Sequence, residues 1–118
     1  MAATKTPRQL LASQTLAAGA SVNVAEWNLS TAYGGKLCIR ITNGSSPPAS
    51  APVVTFFSGD ATGKKYKQYS AAGDVVASSQ NDIYFTYGLE DMFANATIQN
   101  GGGNSITVEA YGQEATTI

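Results

Sequence analysis

The sequence contains no histidine and a single cysteine, Cys38. Without imidazole there is no histidine-based triad, no His-bearing zinc site and no histidine pH switch. One cysteine excludes an intrachain disulfide and a CxxC redox pair. Charge is scarce as well: Asp, Glu, Lys and Arg make up 13% of the 118 residues, about half the usual share for a soluble domain. Seven basic and eight acidic groups leave a net charge of −1, which gives no general pull toward nucleic acid or a membrane surface. Long apolar runs are also missing. Ser13, Gln14 and Thr15 interrupt Leu10, Leu11 and Leu16, so the apolar core of a signal peptide does not form. No stretch approaches the length of a membrane helix. The expectation is a mature chain that opens with a polar arm.

What is present divides at about residue 20. Residues 1–20 hold Lys5 and Arg8 and no acid, whereas the rest holds all eight acids. Residues 8–18 could form a weak helix on propensity, but no capping signal starts one. Such a segment either frays or gains order on a partner, with Lys5, Arg8, Leu10, Leu11 and Leu16 as its contact residues and Trp27 as a further candidate. On this reading, deleting residues 1–18 spares the fold of the body.

Beyond residue 20 the apolar period is two. Val22 and Val24 share one phase and Trp27 and Leu29 another, which implies a bulge or two short strands meeting near Ala25 and Glu26. Leu37, Ile39 and Ile41 alternate with Cys38, Arg40 and Thr42 as a half-buried strand. Val54 and Phe56 oppose Val53, Thr55 and Phe57 in the next. Tyr66 to Tyr69 form a short polar strand, and Val75 and Val76 weakly suggest another. Ile83, Phe85 and Tyr87 oppose Tyr84 and Thr86, and residues 91–111 suggest a hairpin around Gly101, Gly102 and Gly103. Many short strands punctuated by Gly, Asp and Asn turns predict an all-β fold, a small antiparallel β-sandwich in preference to a barrel. The predicted organisation is an extended N-terminal arm over 1–20 and one sandwich domain over 21–118.

Each chemical constellation fails on spacing. Glu90 and Asp91 are adjacent, so on a strand they point to opposite faces. Asp60, Asp74 and Asp82 lie in turn-rich sequence without a calcium-loop pattern. Cys38 has no base to activate it, and no serine stands in a GxSxG or SxxK setting. Lys64, Lys65 and Lys67 interleave with Tyr66 and Tyr69 as nucleic-acid stacking surfaces do. The same lysines also suit an edge strand kept soluble by charge. The tyrosines and Trp27 could bind sugar, or serve as core and interface aromatics. The sequence therefore predicts no catalytic residues, no metal and no cofactor.

Gly, Ala, Ser and Thr account for 53 of the 118 residues, and such small side chains permit close contacts at little entropic cost. This composition suits a permanent assembly. The layout resembles that of small structural proteins of tailed bacteriophages, in particular capsid decoration (cement) proteins. The likeness is carried by the polar arm, the strand Lys36–Asn43, the Ser/Pro/Ala loop, Val53–Ser58, the Gly/Asp turn, Ile83–Tyr87 and Ser105–Gly112. The resemblance implies a non-enzymatic virion protein on the outer capsid surface. It would stabilise the shell by binding the major capsid protein as a homo-oligomer, a trimer before a dimer. Neither specific nucleic acid nor membrane is an expected partner. The alternatives are a phage tail or fibre component, a carbohydrate-binding receptor module, and a secreted inhibitor or adhesin subunit.

Overall fold

The computed structural model describes residues 4–117, none of them helical. Nine strands form: β1 (Thr4–Leu16), β2 (Ser21–Asn23), β3 (Trp27–Asn28), β4 (Gly35–Asn43), β5 (Val53–Gly59), β6 (Lys65–Ala72), β7 (Gln80–Tyr87), β8 (Phe93–Gln99) and β9 (Ile106–Thr117). All pair antiparallel in two sheets, one in the order β1-β9-β4-β7 and the other β2-β8-β5-β6, with β3 also on β8. Counting β2 and β3 as one interrupted strand, each sheet has four positions, and the chain passes from sheet to sheet at every connection except β5–β6. That is the path of a jelly roll.

The alternating residues supply the core, as their period requires. Leu37, Ile39 and Ile41 of β4 and Ile106, Val108 and Ala110 of β9 face Val54 and Phe56 of β5 and Ala94, Ala96 and Ile98 of β8, all buried. Each large aliphatic or aromatic side chain removed from water here contributes about 1.5–3 kcal/mol. The phase change near Ala25 is real: β2 stops at Asn23, the Val24 amide still donates to the Ala96 carbonyl at 2.9 Å, and β3 resumes at Trp27.

Three expectations need correction. Residues 8–18 are not helical; β1 runs antiparallel along β9 from Thr4 to Leu16, absorbing three register shifts. The extended N-terminal segment is thus an outer strand of a sheet. Its removal would strip β9 of a neighbour and take Leu16 out of the core, so the expectation that the body keeps its fold without residues 1–18 does not follow. Residues 91–111 are not a hairpin, because β8 and β9 lie in different sheets and the glycine turn carries the chain across. Buried Asn100 anchors that crossing, its Nδ2 donating to the carbonyls of Leu16, Ala17 and Asn104. Val75 and Val76 start no strand; they stand exposed in the β6–β7 loop.

Trp27 crosses from one sheet to the other. Its ring lies so close to the backbone of Gly112 in β9 that an added Cβ would stand 2.8 Å from the indole and 3.1 Å from Leu10. Gly35, in the neighbouring strand, is equally tight, with a Cβ position 2.6 Å from the ring. Only a residue without a side chain leaves room for the indole at these places. Gly112→Ala is expected to lower stability by about 1–3 kcal/mol through overpacking. Urea unfolding followed by the fluorescence of Trp27, the sole tryptophan, would measure it; an unchanged midpoint would contradict this packing.

Candidate functional site

Trp27 is 4% exposed, and its Nε1 donates to Glu114 Oε2 at 3.1 Å. The other carboxylate oxygen of Glu114 accepts from Arg8 Nε at 3.1 Å and from its terminal nitrogen at 2.6 Å. One buried carboxylate therefore links β1, β9 and β3. The six residues read as partner contacts in the sequence are placed as follows. Lys5 is exposed and Arg8 is half exposed with its guanidinium on Glu114. Leu10 and Leu11 are partly buried against the core, and Leu16 and Trp27 belong to it. The fold gathers these residues on one side of the sandwich, where they join the N-terminal strand to the core.

The opposite side is open. There β6 and β7 are the outermost strands of the two sheets, and a cavity of about 540 Å³ lies between them, lined by Tyr69, Ala71, Asp82, Ile83, Tyr84, Phe85 and Thr86. Phe56, Tyr69 and Phe85 stack with centroid separations of 6.0–6.3 Å, and Tyr87 meets Phe85 edge-on at 5.0 Å. Tyr87 is buried and anchored by its hydroxyl, which donates to the Phe57 carbonyl at 2.8 Å; burial pushes the phenol well above its ordinary pKa. Toward the rim the aromatics emerge, with Tyr69 47% and Tyr84 55% exposed.

Polar groups around this mouth are occupied with one another. Asp82 accepts from Arg40 Nε at 2.8 Å, and Arg40 also lies 3.8 Å from Glu109. The guanidinium holds the Asp82 carboxyl below its ordinary value, and the carboxylate raises Arg40 in turn. The Lys36 ammonium stands 4.0 Å above the Tyr84 ring, a cation–π contact. Cys38, half buried on β4, has its thiol pKa raised first by burial and then by Asp82. A raised thiol pKa is the opposite of what a nucleophile needs. The β6–β7 loop hangs on Asp74, whose carboxylate accepts from Ser79 Oγ, Asn81 Nδ2 and Asn43 Nδ2.

The remaining constellations stay apart. Among the described residues no three His, Cys, Asp or Glu side chains come together as a metal site. Glu90 and Asp91 sit in the β7–β8 turn, not on a strand, and Asp91 accepts from the Gly88 amide at 2.7 Å. Asp60 closes the β5–β6 turn, accepting from Thr62, Lys64 and Tyr66. Lys65 and Lys67 do share the outer face of β6, a true edge strand, with Lys65 Nζ 3.1 Å from Asn95 Oδ1. As sugar platforms the aromatics are poorly disposed: Trp27 is buried, Lys36 covers one face of Tyr84, and the Tyr111 hydroxyl is bonded to Glu109. Sequence reasoning missed the mouth between β6 and β7. Its only signal was the pairing of a very polar strand with the inward residues Ile83 and Phe85, which need a cover that β6 supplies only in part, through Tyr69.

No family model matches the chain, and no curated protein matches it in sequence. Its fold is shared more widely. A chain of Bacillus endospore appendages, which form disulfide-linked pili, superposes with a TM-score of 0.57 at 14% identity, over 100% of this chain and 93% of that one. The SPBc2 prophage-derived protein YomS gives 0.54 at 15%, over 97% and 95%. The VP2 protein of infectious bursal disease virus, in its subviral particle, gives 0.62 at 6% and matches 98% of this chain, which spans only 33% of VP2. Identities this low establish a common β-sandwich, one that resembles several virus- and prophage-derived proteins.

Asp60, Asp74 and Asp82 are all held below their ordinary value of 3.8, mainly by hydrogen bonds from Thr62, from Ser79 and from Arg40 respectively. Carboxyls with a depressed folded pKa stabilise the fold above the unfolded value, and this is lost as pH falls through the folded value. The melting temperature should therefore hold steady from neutrality to about pH 5 and fall below about pH 4. Asp74→Asn should melt lower at neutral pH and show a shallower acid decline. Identical acid profiles for the two proteins would contradict the role given to Asp74.

Proposed function

We propose that the chain is a non-enzymatic structural subunit of a bacteriophage particle, bound to the outer capsid surface as a decoration protein that bridges copies of the major capsid protein. The observation that carries this reading is the contrast between its two kinds of surface. Arg8, Arg40, Asp82, Glu109 and Glu114 are engaged with one another within the chain, whereas the aromatic rim at β6 and β7 is open. A molecule with five of its charged side chains paired within the chain, and with exposed tyrosines at an open rim, suits lasting protein contact better than turnover of a substrate. Exposed apolar patches of this kind mark interaction sites. The likeness to VP2 and to a prophage-derived protein supports a place among particle proteins.

The energetic logic is multivalency. A single contact made by a domain this small is modest, but a symmetric oligomer presents several at high effective concentration. A net charge of −1 limits repulsion when many copies crowd one shell. Lys5 and the exposed part of Arg8, on the outermost strand β1, are the candidate contacts to the shell. Particles carrying the protein should release their DNA at a higher temperature than particles lacking it, and refilling bare particles with purified protein should restore the difference. Equal release temperatures at saturation would reject shell stabilisation. Finding the protein solely on the tail would reject the capsid location in favour of a tail or fibre role.

A further inference from the structure

Backbone at the edge of a sheet is a template for pairing with another chain, and stable monomers blunt it with proline, lysine, bulges or shortness. Three of the four edges here are blunted. β1 carries Lys5, Pro7 and Arg8 and breaks register three times. β2 and β3 are three and two residues long. β6 is bulged opposite Phe56 and Phe57 and begins among lysines. β7 has none of these devices. Its eight residues, Gln80–Tyr87, contain no Pro, Gly or Lys and pair with β4 without a register shift.

We propose that β7 is the association edge of this protein and that its occupant is β7 of a second copy, paired antiparallel about a two-fold axis through Tyr84. The strand is self-complementary in that register. Tyr84 lies opposite the partner's Tyr84, Asp82 opposite the partner's Thr86, and Ile83 opposite the partner's Phe85, so outward residues meet outward ones and inward meet inward. Ile83 and Phe85, only partly buried in one copy, thereby extend the inner apolar layer across the junction, and each such pair occurs twice by symmetry. Charge also permits a second copy. The one carboxylate of β7, Asp82, is matched within its own chain by two hydrogen bonds from Arg40, at 2.8 and 3.2 Å. Two such edges can therefore approach without an uncompensated like-charge pair. The lysines of β6 do not obstruct the approach, since Lys65 and Lys67 project from the outer face, where Lys65 covers Phe57 at 5.1 Å.

The inference goes beyond attachment to a particle and does not depend on it, because the purified chain alone is the test object. Sedimentation velocity from low micromolar to near-millimolar concentration should show a monomer–dimer equilibrium. Tyr84→Lys, an exposed change that sets two ammonium groups across the axis, should weaken dimerisation by about tenfold or more. Tyr111→Lys, on the interior strand β9, should leave it unchanged. A second readout fixes the register. Cys38 lies directly across from Tyr84 on β4, so the probe is Tyr84→Cys in a Cys38→Ser background, which prevents an intrachain bridge. Mild oxidation should yield a disulfide-linked dimer, because directly opposed antiparallel residues lie within disulfide range. Tyr111→Cys in the same background should remain uncrosslinked. A chain monomeric throughout, as expected if β7 instead receives a strand of a different protein, would overturn the proposal. So would a dimer indifferent to Tyr84→Lys, or one in which Tyr84→Cys fails to crosslink. Particle binding itself is read separately, by the DNA-release experiment.

Discussion

The fold depends on one carboxylate. Glu114 is 5% exposed and accepts hydrogen bonds from an indole on one sheet and a guanidinium on the outermost strand of the other. A buried carboxylate without donors would be costly, and loss of either partner leaves part of that cost uncompensated. Trp27 can reach it only because Gly35 and Gly112 clear a path over the opposite sheet. Two glycines, a tryptophan, a glutamate and an arginine, scattered from residue 8 to residue 114, thus constitute a single structural device. It closes the sandwich where β1, β3 and β9 converge.

Closure there leaves the opposite side loose. On that side the sheets are joined by the Tyr87 hydroxyl on the Phe57 carbonyl and by stacked aromatics, with no ion pair between them among the described residues, and the rim rings reach solvent. The asymmetry gives the molecule a closed side and an open side. A two-fold junction at β7 would leave β1 free on the far side of each copy for contact with a shell. The junction proposed at β7 is two-fold, whereas the capsid resemblance implies a three-fold one.

Much of the fold was legible because burial imposes a period. Leu37, Ile39 and Ile41, like Ile106, Val108 and Ala110, announce which side of each strand is covered, and the phase break before Trp27 marks where β2 ends. Period says nothing about which strands are neighbours. The β8–β9 segment therefore looked like a hairpin although its turn crosses between sheets. β1 escaped recognition because its polar outer residues and three register shifts obscure the alternation, while Leu10, Leu11 and Leu16 suggested a helical stripe. The open mouth was invisible for a related reason: Ile83 and Phe85 read as ordinary inward residues, and only the position of β6 shows that their cover is incomplete.

Native-state hydrogen exchange along β1 tests the account most directly, because the Trp27–Glu114–Arg8 device is what makes this segment part of the sandwich. Local opening free energies separate integral strands from loosely attached ones. The amides of Thr4–Leu16 that pair with β9 should exchange with protection comparable to that of β9 and β4. Exchange at free-chain rates in β1, with β4 and β9 still protected, would make the segment a detachable arm and contradict the account.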